Sequence, residues 1–203
     1  MSFNVEGFRS IMARDGARPN LFECEINYPL GANISNSSTV RRAFRFLCRS
    51  AQLPGSSMGY VSIPYFGREV KLAGNRVFQD WTVTIINDEN FAIKNSFEQW
   101  MNAINSHIGN RRFSTLTSSS SYAVDGKVFQ YGKTGNKIKE YLFRGMFPID
   151  VGPIDLDWGA NDTVEEFTVT FQYQYWVTNT TDGAALTNTR APVSALGQLS
   201  LLP

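Results

Sequence analysis

Alternation at period two constrains this chain more than any other feature of it. From Thr163 to Val177, Phe167, Val169, Phe171, Tyr173, Tyr175 and Val177 fall on one side of an extended chain. Thr168, Thr170, Gln172, Gln174 and Trp176 fall on the other. Successive side chains of a strand point to opposite faces, so this segment has one large apolar face and one mostly polar, uncharged face. The pattern recurs at Leu21 to Tyr28, where Phe22, Cys24, Ile26 and Tyr28 oppose Glu23, Glu25 and Asn27. It is read again at Ala43 to Arg49, with Phe44, Phe46 and Cys48 on one side after a Gly/Asn/Ser loop over 31–39. Arg76 to Asn87 and Ile138 to Phe147 complete the set, the latter followed by an acidic, proline-containing connector over 148–159.

Turn signals divide these strands. Tyr60–Phe66 and Gly67–Leu72 read as arms of an irregular hairpin, with Pro64 holding the first arm at an edge and Gly74-Asn75 as a turn. Asp125-Gly126 reads as a two-residue hairpin turn. Helical spacing appears in two places. Phe8, Ile11 and Met12 suggest a short N-terminal helix. Phe97, Trp100, Met101, Ile104 and Ile108 mark an amphipathic helix over about residues 90–108, with Asp88 or Asn90 as its cap. Strands that follow one another without helical crossovers predict a mainly β fold. The expected form is an antiparallel barrel or sandwich with one flanking helix and a protruding hairpin over about residues 53–76. Residues 1–178 read as a single β domain, and 179–203 as a tail that orders against a neighbour or not at all.

Composition excludes several classes. Apolar residues make up 42% of the 203, too many for a disordered chain. The net charge of +1 argues against a basic nucleic-acid clamp. The charge is uneven: beyond Arg144 the only basic residue is Arg190, facing seven carboxylates. A basic body with an acidic end favours association between copies. No run approaches the roughly 20 apolar residues of a spanning helix, so no membrane insertion is expected. The N-terminal residues lack a signal-peptide core, and a reducing, aqueous compartment is expected. Cys24 and Cys48 read as buried, reduced thiols, with a disulfide left open.

No reactive constellation emerges, and no catalytic residue, metal or cofactor is expected. Gly55-Ser56-Ser57-Met58-Gly59 spells a nucleophile elbow, but Tyr60–Pro64 is a poor helix start and His107 is the only histidine. Gly126 to Thr134 resembles a phosphate loop with one residue too many between its glycines, and that spacer reads as a strand. Asp155 and Asp157 read as part of a solvated acidic connector.

One ordered run of motifs carries a resemblance. Leu53-Pro54 precedes Ile63-Pro-Tyr-Phe-Gly-Arg-Glu-Val70 and Ala73-Gly-Asn-Arg-Val-Phe78. Then come Asp80-Trp-Thr-Val-Thr-Ile85, Asn87-Asp-Glu-Asn-Phe91 and Phe97-Glu-Gln-Trp-Met101. With the overall length, the central helix and the long last strand, this resembles the tail tube proteins of contractile-tailed bacteriophages. The tubes of contractile bacteriocins and type VI secretion systems are related to them.

The resemblance implies a structural virion protein whose hexameric rings stack into an inner tail tube. Sheets of six subunits would join around a lumen through which double-stranded DNA passes without specific binding. The implied partners are further copies of the chain, a sheath protein, the baseplate and a tail terminator. The implied location is the virion tail, assembled in the bacterial cytoplasm. The hairpin would reach the neighbouring ring, with Leu53, Pro54, Tyr60, Tyr65, Phe66 and Arg68 at inter-ring or inter-subunit contacts. Thr168, Thr170, Gln172 and Gln174 would face the lumen, and the acidic stretch 150–166 would add repulsion of phosphates. The alternatives are a bacteriocin or secretion-system tube, or a β-sandwich module that binds carbohydrate or peptide.

Overall fold

The computed structural model describes residues 4–12 and 16–179. The expected tail therefore lies outside the described residues, except for Asn179. Among the described residues, nine strands, four helices and a single 3-10 turn at Leu30–Ala32 follow in chain order. Strands β1 (Phe22–Ile26), β2 (Cys48–Ala51), β5 (Trp81–Ile86), β6 (Val124–Tyr131), β7 (Lys137–Val151), β8 (Glu166–Gln172) and β9 (Tyr175–Thr178) form one antiparallel sheet. Strands β3 (Ser56–Tyr65) and β4 (Arg68–Phe78) form a separate ribbon. The architecture is mainly β, as expected, but the sheet does not close into a barrel: β1 and β2 are its unjoined ends.

The sheet turns a corner along β7. The N-terminal part of β7 pairs with β6 on one edge and with β9 on the other. Its C-terminal part, Phe147 to Val151, pairs with β8. One half-sheet is thus β1-β6-β7-β9 and the other β7-β8-β5-β2. A bulge lies at the corner, where the β6–β7 register slips between Val124↔Met146 and Gly126↔Phe143. Gly145 sits in it at φ +63°, a left-handed conformation that glycine adopts without a Cβ penalty. Asp125 holds the bulge by an ion pair with Arg144 and by accepting the Gly145 N–H at 3.3 Å. Asp125-Gly126 is therefore no hairpin turn. A Cβ on Gly126 would stand 2.6 Å from Met146 Cε, so glycine here leaves room for Met146 in the core.

The same corner breaks the segment read as one strand over 163–177. β8 and β9 separate at Tyr173 and Gln174, where the Gln174 N–H donates to the Arg144 carbonyl at 3.0 Å. The longest strand is instead β7, which runs through Pro148 into the stretch read as a connector. The strand expected over 76–87 also divides. Phe78 ends β4, and Trp81 begins β5 after Gln79 and Asp80.

Helix α3 (Ala92–Ile104) lies over the sheet and buries Ile93, Ser96, Phe97, Trp100 and Ala103. Asp88 Oδ1 accepts the Ala92 N–H at 3.0 Å and satisfies a donor of its first turn. The helix stops short of Ile108, which is fully exposed. Helix α1 (Val5–Ile11) forms at the expected place and buries none of its residues. The largest departure is α2 (Ser37–Leu47), which occupies part of the expected loop and most of the strand expected over 43–49. Val40 and Phe44 enter the core from α2, with Ala43 and Leu47 packed against it, a spacing of i, i+3, i+4 and i+7. Helix winding sends Phe46 to solvent and lets Arg45 pair with Glu23 and, at 3.2 Å, with Glu25. A one-turn helix α4 (Ser119–Tyr122) forms in the Ser-rich stretch that follows Thr117.

The core packs β-sheet against α2 and α3. Trp81, Phe97, Trp100, Phe143, Phe167 and Phe171 are fully buried within it, and Phe97 packs edge-on to Phe171 at 5.6 Å. Cys24 and Cys48 are both buried and free in this core. Their mutual hydrogen bond and their burial push the Cys24 thiol well above its ordinary pKa, which keeps it protonated.

Candidate assembly surfaces

The hairpin β3–β4 stands off the body. Every residue of β3, and all of β4 except Gly74 and Phe78, is exposed. Its tip is the two-residue turn Phe66-Gly67, both at positive φ (42° and 80°), the type of turn that suits the strand twist. Gly74-Asn75 lies within β4 and does not turn the chain. A Cβ on Gly74 would be 3.0 Å from the Gly59 backbone, so the paired glycines permit a close approach at the register shift near Met58 and Tyr60. The arms are longer and more regular than expected, and Pro64 is accommodated opposite Glu69.

Register sorts the hairpin into two unlike faces. Val61↔Leu72, Ile63↔Val70 and Tyr65↔Arg68 share one face. Met58, Tyr60, Ser62 and Pro64 share the other with Arg76, Ala73, Lys71 and Glu69. The first face is apolar up to Arg68, and Val61, Ile63, Val70 and Leu72 are between 46% and 56% exposed. The second is polar: Ser62 donates to Glu69 at 2.9 Å, and the Lys71 ammonium lies 5.2 Å from the Tyr60 ring centre. An isolated two-stranded ribbon is marginal in water, and exposed apolar stripes mark contact sites.

The half-sheet β7-β8-β5-β2 offers a different surface. Its inward face is Trp81, Val83, Ile85, Phe167, Val169 and Phe171, all buried. Its outward face carries Thr82, Thr84, Thr168, Thr170 and Gln172, with Ile86 and an Arg49-paired Glu166 at one end and Asp150 opposite Thr170; Thr82 and Thr170 share a hydrogen bond at 3.2 Å. The half-sheet has two open edges among the described residues: the far side of β2, and the side of Phe147–Val151 that β6 leaves unpaired beyond Met146.

The expected contact residues divide accordingly. Tyr60, Tyr65, Phe66 and Arg68 lie on the hairpin, with Tyr60 on the polar face, Tyr65 and Arg68 on the apolar face and Phe66 at the tip. Leu53 and Pro54 precede it, in the link from β2. Thr168, Thr170 and Gln172 share one face of β8, whereas Gln174 sits in the break at the corner, away from that strand. The α2 surface, with exposed Arg41, Arg42 and Arg45, escaped the sequence reading because its alternation suggested a strand.

The groups that spell enzyme motifs do not converge. Ser57 is an exposed residue of β3 opposite Val77, with no helix after it. His107 follows the end of α3, its backbone N–H donating to Asn102 Oδ1 at 3.2 Å. Gly126 to Gln130 is strand β6. Among the described residues no group of three or more His, Cys, Asp or Glu side chains is placed to hold a metal ion.

Comparison with known proteins places this geometry. Residues 17–179 match the phage tail tube protein family. The chain is 34% identical to the tail tube protein gp19 of Enterobacteria phage T4 over 169 residues, covering 83% of this chain and 95% of that one. It is 28% identical to the tail tube protein of Serratia phage KSP90, over 83% and 93% of the two chains. Among solved structures, a chain of the anti-feeding prophage baseplate superposes with a TM-score of 0.57 at 15% identity, over 80% and 95% of the two chains. A chain of the sheath–tube complex of an extracellular contractile injection system superposes at 0.51 and 12% identity, over 87% and 98%. The chain therefore belongs to the phage tail tube proteins, structural components of contractile tails.

Proposed function

We propose that the protein closes into hexameric rings that stack into the inner tube of a contractile phage tail, through which the genome leaves the virion. The observation that carries this reading is the half-sheet β7-β8-β5-β2, with its two open edges and an outward face of hydroxyls and amides whose charges are Asp150 and the Arg49-paired Glu166. Its strands alternate in direction, so β2 of one copy runs antiparallel to β7 of the next when the edges meet. Six copies then share one continuous antiparallel barrel, and closure removes strand edges that would otherwise invite aggregation. The buried face of the half-sheet already serves the subunit's own core, which leaves Thr82, Thr84, Thr168, Thr170 and Gln172 for the lumen. Hydroxyls and amides there carry no charge and release no counterions on meeting a phosphate, whereas each lysine or arginine would add affinity through counterion release and slow the DNA.

The hairpin reaches a neighbouring ring, with Tyr65, Phe66 and Arg68 at its leading end. A sheath surrounds the tube, and baseplate and terminator proteins cap it. Assembly takes place in the host cytoplasm. No step of chemistry is required of the protein. The test is electron microscopy of the purified protein across a range of concentrations. Rods or rings with an open channel support the proposal. A concentration-independent monomer that retains glycans or peptides supports the binding-module alternative instead.

A further inference from the structure

Two exposed apolar surfaces on this chain carry opposite charge. The first is the apolar hairpin face, Val61, Ile63, Val70 and Leu72, with Tyr65 and Arg68 at its outer end. Arg68 is the one charge on that face, and the hairpin as a whole adds Lys71 and Arg76 against Glu69. The second is the connector between β7 and β8. There Leu156 and Val164 are mostly exposed and Trp158 is completely so. Around them stand Asp155, Asp157, Asp162 and Glu165, with no lysine or arginine between residues 152 and 165.

We infer that the apolar face of the hairpin of one copy docks on the acidic Leu156–Trp158 loop of a second copy. The inference rests on the tube reading and names the partner surface of the hairpin. A fully exposed tryptophan beside a leucine is costly to leave in water and is a residue type enriched where partners bind. The carboxylates around it keep the free subunit soluble and repel another acidic loop. They attract an apolar surface that ends in a guanidinium. Arg68 can also stack on the indole, an arrangement favoured for arginine over tryptophan.

The occupant is a second copy because complementary patches at different sites of one chain make a heterologous contact. Such a contact repeats head to tail and leaves a free hairpin and a free loop at opposite ends of the assembly. This is what a growing stack of identical subunits needs.

The experiment uses the full chain and two readouts. Arg68→Glu raises the protein concentration needed for half-assembly, scored by sedimentation of rods, by about tenfold. Combining it with Asp155→Lys restores assembly to within about twofold of the unsubstituted protein. Trp158 emission, isolated by difference from Trp158→Phe, shifts to the blue when rods form. Rods whose Trp158 emission remains that of exposed indole, with a charge swap that restores nothing, overturn the pairing and leave the tube reading intact. A blue shift that appears only when sheath protein is added overturns it in favour of a sheath contact. Absence of rods from the unsubstituted protein overturns both readings.

Discussion

Phe66 holds φ at +42°, where a side chain with Cβ is strained, and it is 90% exposed at the tip of the hairpin. It gains only an edge-on contact with Tyr65 at 4.6 Å. Phe66→Asn, which tolerates the left-handed region, is expected to raise the stability of the free subunit by about 1 kcal/mol in urea unfolding while weakening rod formation. Gly145 is the opposite case. Its φ is +63°, which strains any residue with a Cβ, and a Cβ added there would stand 3.0 Å from Gln174 Cγ, so that side chain would also have to give way by a few tenths of an ångström. Gly145→Val is expected to cost about 2–3 kcal/mol, read by the same measurement.

Tyr173 adds a pH signature. Its hydroxyl donates to the Gln79 carbonyl at 2.6 Å, and burial, aided by the charge of Asp80, pushes its pKa up to about 12. The folded phenol therefore holds its proton where the unfolded one, near 10, releases it. The stability it contributes is complete below pH 10 and is lost as pH rises toward 12. Tyr173→Phe is expected to flatten the fall in stability over that window in a denaturant series at stepped pH.

At the scale of elements, β3–β4 contributes little to the core. Replacing residues 57–77 by a short flexible turn, which keeps Phe78 against Tyr173 and Trp176, is expected to leave the thermal midpoint of the body nearly unchanged while abolishing rods. Trp100→Ala removes a fully buried ring, together with its N–H donation to the Tyr122 carbonyl at 2.9 Å, and is expected to cost about 3–5 kcal/mol. The strands were legible because alternation survives wherever one face is buried: Trp81, Val83 and Ile85 point inward as their spacing predicts. Helix α3 was legible for the same reason at a different period. Helix α2 was not, because Phe44, Arg45, Phe46 and Arg49 satisfy period two by accident. The decisive spacing of Val40, Ala43, Phe44 and Leu47 begins directly after a Ser/Asn-rich stretch that reads as loop and holds the helix's first turn. Glycines misled where they serve packing rather than turning. Gly126 makes room for Met146, and Gly74 for Gly59. The corner at Gly145 depends on the pairing of distant strands, which local pattern does not encode.

Over the whole molecule, the unclosed sheet and the stand-off hairpin are what distinguish this fold from a self-contained β-sandwich. The hairpin and the row Thr168, Thr170 and Gln172 on one face of β8 were legible in the sequence. The open edges of β2 and β7 were not, because they follow from strand order. If the outward face of β8 lines a DNA passage, Thr168→Lys with Thr170→Lys should still give tubes but slow genome release from particles, an effect relieved by raising salt. Whether edges of neighbouring copies complete one barrel is decided by a cryo-EM map of the assembled protein. Cys48–Ala51 of one subunit is expected to be hydrogen-bonded antiparallel to Phe147–Val151 of the next, with Thr168, Thr170 and Gln172 facing the channel. A map in which those edges face solvent, or in which α2 rather than β8 lines the channel, contradicts it.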